Sequence, residues 1–488
     1  MKASPELHEL IKSMSMSEKR HFKLYSSGHI NGDSKNYLRL FDAIDKQENY
    51  NEEELKSAFS EETFIRHLPS EKNYLYRNLL ESLNAFHKEK TFLARHSNYL
   101  VSIELLFNRG LFAQCLKLIR KAKEEASHNE KFSFSLIILR WETLIYINNE
   151  DDKNLNKALA EELRTLEMMK VQTTLMQIAF NIQIQIDKGK VPDSFLRQQL
   201  KLLKENFPPR YDLRTFWINY YYQSGLALIY TVRNKHPKRY DCLREIKSIM
   251  DKAPQFIVDL PAIYHSNSNN LVNVMCILGK YEEAKLIVKS QQAFLQTYNI
   301  RRETLSRIVF LNTSESELFI FYKTKKHQAA AALTREIETR VKKIDLHFNP
   351  ILFDLMYMMA VSELMVKNFK SAGKWLNQIL NAEREIKFRK ELQINARILY
   401  IIVLFELHDR LFDNRLNAAK RFVAQEPQFQ AQLKILELIR ILADPKLLKK
   451  RISEFPKYIA QVRKESRKAN EEALNKQFDF AEWIEGKL

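Results

Sequence analysis

Two asparagines in the middle of the chain have the chemistry of a peptide-binding surface. Asn269 and Asn273 are four residues apart, so on a helix they share one face. A side-chain amide both donates and accepts hydrogen bonds, which suits contact with the backbone of an extended peptide. A second interpretation stays open, in which the asparagines between 267 and 273 mark the solvated start of a helix.

A second candidate surface is the aromatic segment that runs from Thr215 to Tyr222. Consecutive helical residues point about 100° apart, so its tryptophan and three tyrosines cannot all face one core. We expect at least one of them, with Tyr222 as the candidate, to reach a groove. Aromatic rings among cations suit an acidic peptide or stacked bases of single-stranded nucleic acid, whereas packing between helices is the structural alternative. The neighbouring cations are Arg210, Arg214, Arg233, Lys235, Lys238 and Arg239.

The sequence lacks the motifs of catalytic and cofactor sites. Its eight glycines do not form a dinucleotide-binding, P-loop or nucleophile-elbow pattern, and neither H-E-x-x-H nor C-x-x-C occurs. Cys115, Cys242 and Cys276 are too far apart in sequence for a metal-binding pair, and Cys115 and Cys276 fit small core positions. We therefore predict a protein that is not an enzyme and that binds neither a metal nor a cofactor.

The elements that position these residues are predicted to be helices. Scarce glycine leaves little room for tight hairpins, whereas apolar residues recur at helical spacing along the chain. A recurrent unit combines an apolar helix, a short turn, an aromatic residue and then a small residue. The clearest copy has Gly279, Tyr281 and Ala284. Partial copies have Gly110, Phe112 and Cys115, or Phe369 and Ala372, and weaker turns lie near residues 153, 189, 238, 327 and 410.

This unit resembles the tetratricopeptide repeat, whose hairpins place a glycine, an aromatic residue and an alanine in this order. The turns are spaced by about 43 residues, against about 34 in that family. The resemblance implies an all-α, right-handed solenoid of helical hairpins with a concave groove lined by first helices. In members that bind extended peptides, asparagines at similar positions contact the peptide backbone, which is the role expected of Asn269 and Asn273.

Four regions are predicted along the chain. Residues 1–95 form an N-terminal helical region, with helix-capping signals at Ser15 and Asn51. Residues 96–207 and 208–428 form the first and second halves of the repeat array, separated at Pro208 and Pro209. Residues 429–488 are predicted to form a helical cap. Its apolar residues either cover the end of the array or dock a partner; they are Phe478, Phe480, Trp483 and Ile484.

The positive charge is concentrated in the second half of the chain. Residues 201–488 carry +17 of the formal net charge of +18. Such a surface attracts acidic protein segments or nucleic acid, although a Lys-rich surface without a ligand is the plain alternative. No apolar stretch suggests a signal peptide or a bilayer-spanning helix, so we expect a cytoplasmic location.

These patterns together predict a scaffold that holds a partner protein or an acidic peptide in its groove. The alternative is a nucleic-acid-associated regulator. It would use the basic residues 201–488 or a helix-turn-helix at 51–90 whose recognition helix runs from Ser70 to Lys90.

Overall fold

The chain forms helices that pack mainly against their neighbours in sequence. The computed structural model describes residues 5–29, 34–88, 91–189, 191–344, 350–382, 389–466 and 478–488, and in these ranges it contains helices and no β-strand. This confirms the predicted all-α class. The chain divides into two compact units, unit 1 (residues 1–169) and unit 2 (residues 170–488). The boundaries predicted at 95, 207 and 428 fall inside these units and stay predictions.

Unit 1 begins with short helices around a small apolar core. Ser15 and Glu18 form the predicted capping box, because the Ser15 backbone N–H donates to the Glu18 carboxylate (2.7 Å) and the Glu18 N–H donates to Ser15 Oγ (3.3 Å). The Asn51 side chain accepts hydrogen bonds from the backbone N–H groups of Glu53 and Glu54, as predicted for an N-cap. The helices of unit 1 are α1 (Glu6–Ser13), α2 (Met16–His29), α3 (Ser34–Lys46), α4 (Glu52–Ala58), α5 (Leu68–His87), α6 (Phe92–Phe107), α7 (Phe112–His128), α8 (Phe132–Asn148) and the first half of α9 (Asp152–Asp187), with a 3₁₀ helix at Thr63–His67.

Unit 2 continues the pattern of alternating helices. It has one core of buried side chains between residues 175 and 320 and a second between residues 311 and 484. Its helices after α9 are α10 (Asp193–Asn206), α11 (Phe216–Val232), α12 (His236–Asp251), α13 (Pro254–Asp259), α14 (Pro261–Ile277), α15 (Tyr281–Thr297), α16 (Glu303–Lys323), α17 (His327–Val341), α18 (Pro350–Met365), α19 (Phe369–Asn381), α20 (Lys390–Glu406), α21 (Phe412–Ala424), α22 (Gln430–Ala443), α23 (Pro445–Arg451), α24 (Phe455–Ser466) and α25 (Phe480–Glu485).

The turns between hairpin helices share one backbone geometry. In the clearest unit, Gly279 has φ +73°, and the N–H of the next residue, Lys280, donates to the carbonyl of Met275 (2.9 Å). This bond spans the end of the helix and satisfies one of its last carbonyls. Lys367 has φ +61°, and Asn368 N–H donates in the same way to Glu363 (2.9 Å). Left-handed residues in such turns also occur at Gly110, Glu130, Glu150, Asn234, Asn299, Lys325 and His408.

The small residues of the recurrent unit are buried, as the sequence pattern predicts. Ala284, Ala372 and Cys115 are fully inaccessible to solvent. The degenerate copies follow the same rule, since Ala158 and Ala331 are also buried. A small side chain at these positions allows two helices to approach closely, and the neighbouring aromatic residues pack against the cores.

The last described segment closes the second core of unit 2. Phe478, Phe480 and Ile484 are buried in it. The indole N–H of Trp483 donates to the Glu406 carboxylate at the end of α20 (3.2 Å). These contacts correspond to the capping interpretation of the C-terminal residues, of which 467–477 lie outside the described ranges.

No helix in the described part of the chain combines the length and the apolar character needed to cross a lipid bilayer.

Candidate functional site

Four helices of unit 2 surround an open cleft with a volume of about 410 Å³. They are the second half of α9, with α11, α12 and α14. Each helix contributes residues three or four positions apart, which is the spacing of a single helix face. The cleft is lined by Ala179, Phe180, Gln183, Ile186, Tyr220, Tyr221, Ser224, Ala227, Leu228, Thr231, Arg239, Leu243, Ile246, Ile263, Ser266, Asn267 and Asn270.

Capping residues and prolines set where the cleft-lining helices begin. Thr215 caps α11, since its hydroxyl accepts a hydrogen bond from Ile218 N–H (3.5 Å). Pro237 and Pro261 occupy the first turns of α12 and α14, where the missing N–H is not needed. These residues set where each helix begins, and packing between the helices sets which side chains face the cleft.

Arg239 in α12 contributes the positive charge of the cleft. Among the described residues, no charged or hydrogen-bonding partner affects the Arg239 guanidinium, and burial lowers its pKa. By contrast, Arg233 donates to Asp193 (2.9 Å), so its charge is compensated within the protein. A half-buried arginine without an anion is unfavourable, because it has lost part of its hydration without gaining a partner. An anionic group in the cleft would supply that partner.

The cleft also contains hydroxyl and amide groups with unused hydrogen-bonding capacity. Ser224 Oγ is buried and has no hydrogen-bond partner among the described residues. The Tyr220 hydroxyl accepts a hydrogen bond from Asn267 Nδ2 (3.2 Å) and retains its own proton for donation. An unsatisfied buried polar group costs about 1–3 kcal/mol, so Ser224 Oγ is a second group that a ligand would satisfy.

Aromatic rings form one side of the cleft. Tyr221 stacks on Trp217 with a centroid separation of 5.7 Å, and Tyr220 meets Tyr221 edge-on at 5.3 Å. Burial, and then the neighbouring Tyr220, raise the pKa of Tyr221, so its phenol is neutral at physiological pH. On α9, the Phe180 side chain lines the cleft while 56% of it is exposed, which places it at the open edge. The cleft therefore presents a cation and hydrogen-bonding groups inside largely apolar walls.

Of the nine residues predicted from sequence, Arg239 is the one that lines this cleft. Tyr222 points elsewhere and stacks on Phe207, with ring centroids 4.0 Å apart. Arg214 covers the same Phe207 ring (4.8 Å) and donates to the carbonyl of Pro208 (2.9 Å).

The remaining predicted cations lie outside the cleft. Arg210 pairs with Asp212 (2.9 Å), and Arg233 pairs with Asp193. Lys235 is exposed, and Lys238 is exposed with its ammonium 5.8 Å from the centre of the Tyr230 ring. None of these four side chains belongs to the lining of the cleft.

Asn269 and Asn273 also lie outside the cleft lining, whereas their neighbours Asn267 and Asn270 belong to it. Because α14 begins at Pro261, all four asparagines occupy the interior of a helix. The alternative in which they mark a solvated helix start is therefore wrong. Asn273 is exposed and Asn269 is half-buried on a different face of α14.

Sequence reasoning placed Tyr220 and Tyr221 in the candidate aromatic segment but selected Tyr222 as the site residue, and it missed Ser224. A usable signal was present in α11, where Tyr220, Ser224 and Ala227 recur at i, i+4 and i+7. Small residues that follow an aromatic residue along one face leave space in front of its ring. The sequence does not reveal which neighbouring helix leaves that space unfilled.

The region proposed as a helix-turn-helix contains two α-helices, α4 (Glu52–Ala58) and α5 (Leu68–His87), and α5 covers most of the expected recognition helix. Between these two helices lies a 3₁₀ helix, Thr63–His67. Lys72, in the first turns of α5, is paired with Glu52 (2.8 Å) and is therefore engaged within the fold. Arg77 and Asn84 are exposed.

Within the described ranges, no group of three or more His, Cys, Asp and Glu side chains is arranged to hold a metal ion. The sequence matches no model of a known protein family, and no curated protein matches it.

Proposed function

We propose that the protein is a non-enzymatic scaffold that binds an acidic segment of a partner protein in the cleft of unit 2. The carboxylate of that segment pairs with Arg239, and Ser224 Oγ and the Tyr220 hydroxyl donate further hydrogen bonds to it. The observation that carries this proposal is the uncompensated charge of Arg239 in an open, aromatic-walled cleft. Charge-assisted hydrogen bonds of arginine to carboxylate are among the strongest polar contacts in proteins.

The finer architecture belongs to the same proposal. The helical hairpins stack as a right-handed solenoid resembling tetratricopeptide-repeat proteins, and the first helices, including α11 and α14, line its groove. Repeated left-handed turns and buried small residues at the helix crossings support this arrangement. Asn273 remains a candidate for contact with a segment that extends beyond the cleft.

The composition of the cleft favours a protein segment over nucleic acid. Among the described residues that line the cleft, Arg239 is the one Lys or Arg, whereas a nucleic-acid backbone presents a charge at every phosphate. One carboxylate of a peptide is enough to neutralise Arg239, and the apolar walls of the cleft can pack against the uncharged residues of that peptide. We therefore expect binding with a weak dependence on salt concentration.

The direct test is selection of a displayed library of random dodecapeptides on immobilised protein, with Arg239→Met as the comparison. We expect peptides that contain Asp or Glu to be enriched on the wild type, and their affinity to fall by at least about 30-fold in the variant, which is roughly 2 kcal/mol. Arg244→Met provides the matched control, because Arg244 lies in the same helix but is exposed outside the cleft. It should bind the peptides normally.

The same variant has a measurable effect on stability. Arg239→Met removes a half-buried, unpaired charge, so its free energy of unfolding should rise on the order of 1 kcal/mol while binding is lost. Equal binding by wild type and Arg239→Met, or enrichment without acidic residues, would contradict the proposal. Tight binding of a single-stranded RNA oligonucleotide that weakens steeply with salt would support the nucleic-acid alternative instead.

A further inference from the structure

We infer that the bound segment carries a bulky apolar side chain beside its acidic residue, and that Phe180 and Ile184 at the edge of the cleft select it. This inference rests on the proposed function, because it names a second feature of the ligand bound at Arg239. It assigns α9 a role in specificity that is separate from recognition of the charge.

Phe180 and Ile184 form a continuous apolar patch on α9. They are one helical turn apart, so they share a face, and 56% and 48% of their side chains are exposed. Phe180 also lines the cleft, which makes the patch continuous with the lining that contains Arg239. Between them, Gln183 lines the cleft and Ile182 is buried in the core. A ligand whose carboxylate reaches Arg239 therefore passes an exposed apolar surface.

Single exposed apolar residues are common and need no explanation by themselves. This pair differs from such residues because Phe180 lines the same cleft as the uncompensated cation Arg239. Covering both side chains removes apolar surface from water, and the free energy gained is proportional to the area covered. The charge and the patch together call for a ligand with one acidic and one apolar group, which is the chemistry of an amphipathic peptide.

The occupant is a segment of a different protein and not the acidic, aromatic C-terminal segment of a second copy. That segment has suitable composition, with Asp479 and Glu482 among aromatic residues. Phe478 and Phe480 are, however, buried in the second core of the same chain. Its release would expose that core, so it is not available to another molecule.

The test uses the most enriched dodecapeptide from the library and a second peptide in which its bulky apolar residue is replaced by alanine. Affinities are measured by fluorescence anisotropy for the wild type, Phe180→Ser and Ile184→Ser. We expect Phe180→Ser to weaken the first peptide about tenfold and the alanine peptide less than twofold. Ile184→Ser should act in the same direction but more weakly, since Ile184 does not line the cleft.

Leu286→Ser is the control variant, because Leu286 in α15 is 69% exposed and lies outside the cleft lining. It should leave both affinities unchanged. All three substitutions replace exposed side chains, so circular dichroism melting curves should match that of the wild type.

The outcomes separate the two proposals. If Arg239→Met abolishes binding while Phe180→Ser and Ile184→Ser do not change it, the apolar selection is wrong and the proposed function stands. If Phe180→Ser weakens both peptides equally, the side chain does not recognise the apolar residue and the inference fails. Concentration-dependent self-association that is lost in Phe180→Ser would overturn it in favour of a second copy. If Arg239→Met binds normally, both proposals fail.

Discussion

At the scale of single residues, the turns of this protein show how a chain with few glycines closes helical hairpins. Glycine is the residue that adopts positive φ at low cost, and there are only eight in the chain. The structure places Glu130, Lys325, Lys367 and other non-glycine residues at φ values between +48° and +61°. Each costs about 1–2 kcal/mol in backbone strain, offset by the hydrogen bonds that close the helix. The fold tolerates one such residue in each turn because the backbone strain is confined to that position.

Lys367 offers a test of this strain. Lys367→Gly should raise the free energy of unfolding by about 0.5–1 kcal/mol, because relief of the left-handed strain exceeds the entropic cost of glycine. The reverse change, Gly279→Ala, should lower it by about 1 kcal/mol. In the described part of the chain, no atom beyond the two adjacent residues lies within 4 Å of a Cβ placed at Gly279, so the loss would be purely conformational. Urea denaturation measures the free energy of unfolding of each variant. A lower value for Lys367→Gly than for the wild type would show that contacts of the lysine side chain outweigh the backbone strain.

At the scale of elements, helix crossings depend on small residues that the sequence pattern identifies. The four consecutive alanines of α17 include buried and exposed positions, since Ala331 is fully buried and its neighbour Ala332 is exposed. Consecutive residues on a helix point in different directions, so one alanine lies at the crossing while the next meets solvent. Their sequence environment is nearly identical, and only the packing of neighbouring helices distinguishes them.

This pair gives a matched experiment. Ala331→Leu should lower the free energy of unfolding by about 1–3 kcal/mol, because three added carbons must fit where the helices are already in contact. Ala332→Leu should change it by less than about 0.5 kcal/mol, since its side chain has room in solvent. Thermal unfolding of the two variants decides the point. Equal effects would mean that α17 does not limit the approach of its neighbours.

At the scale of the whole molecule, the two cores of unit 2 are joined through one helix. α16 contributes Leu305 and Val309 to the first core and Leu311 and Leu318 to the second. Glu315 lies between these residues along the helix. Removal of its carboxyl from water, together with the nearby charge of Asp354, raises the pKa of Glu315 from 4.5 to about 8. The helix that joins both cores therefore carries an acid that stays protonated at neutral pH.

Glu315 makes the stability of the protein depend on pH. Between pH 4.5 and pH 8 the folded chain keeps a proton that the unfolded chain releases, so the contribution is complete below pH 4.5 and is lost as pH rises through 8. Glu315→Gln should remove this dependence and be more stable than wild type at pH 9, on the order of 1–3 kcal/mol. Urea midpoints at pH 6 and pH 9 test this, with the exposed Glu336→Gln as control. Parallel pH profiles for wild type and Glu315→Gln would exclude the assignment.

The local features of this fold could be predicted from the sequence. These features depend on neighbours a few positions away, so a short stretch of sequence is enough to predict them. They include the helical periodicity, the caps at Ser15 and Asn51, and the buried small residues Ala284 and Ala372. Turns predicted near 110, 189, 279 and 367 coincide with left-handed residues for the same reason.

The candidate site was decided by tertiary structure. The sequence pointed to the aromatic segment of α11 and to the cations around it, but a rotation of about 100° per residue separates Tyr222, which stacks on Phe207, from Tyr221 in the cleft. Whether Arg239 or Arg233 keeps a free charge depends on Asp193, which lies forty positions from Arg233. A cleft is the space that four helices leave unfilled, and no single stretch of sequence specifies it. Packing between helices that are distant in sequence determines that Arg239, Tyr220 and Tyr221 line the cleft together.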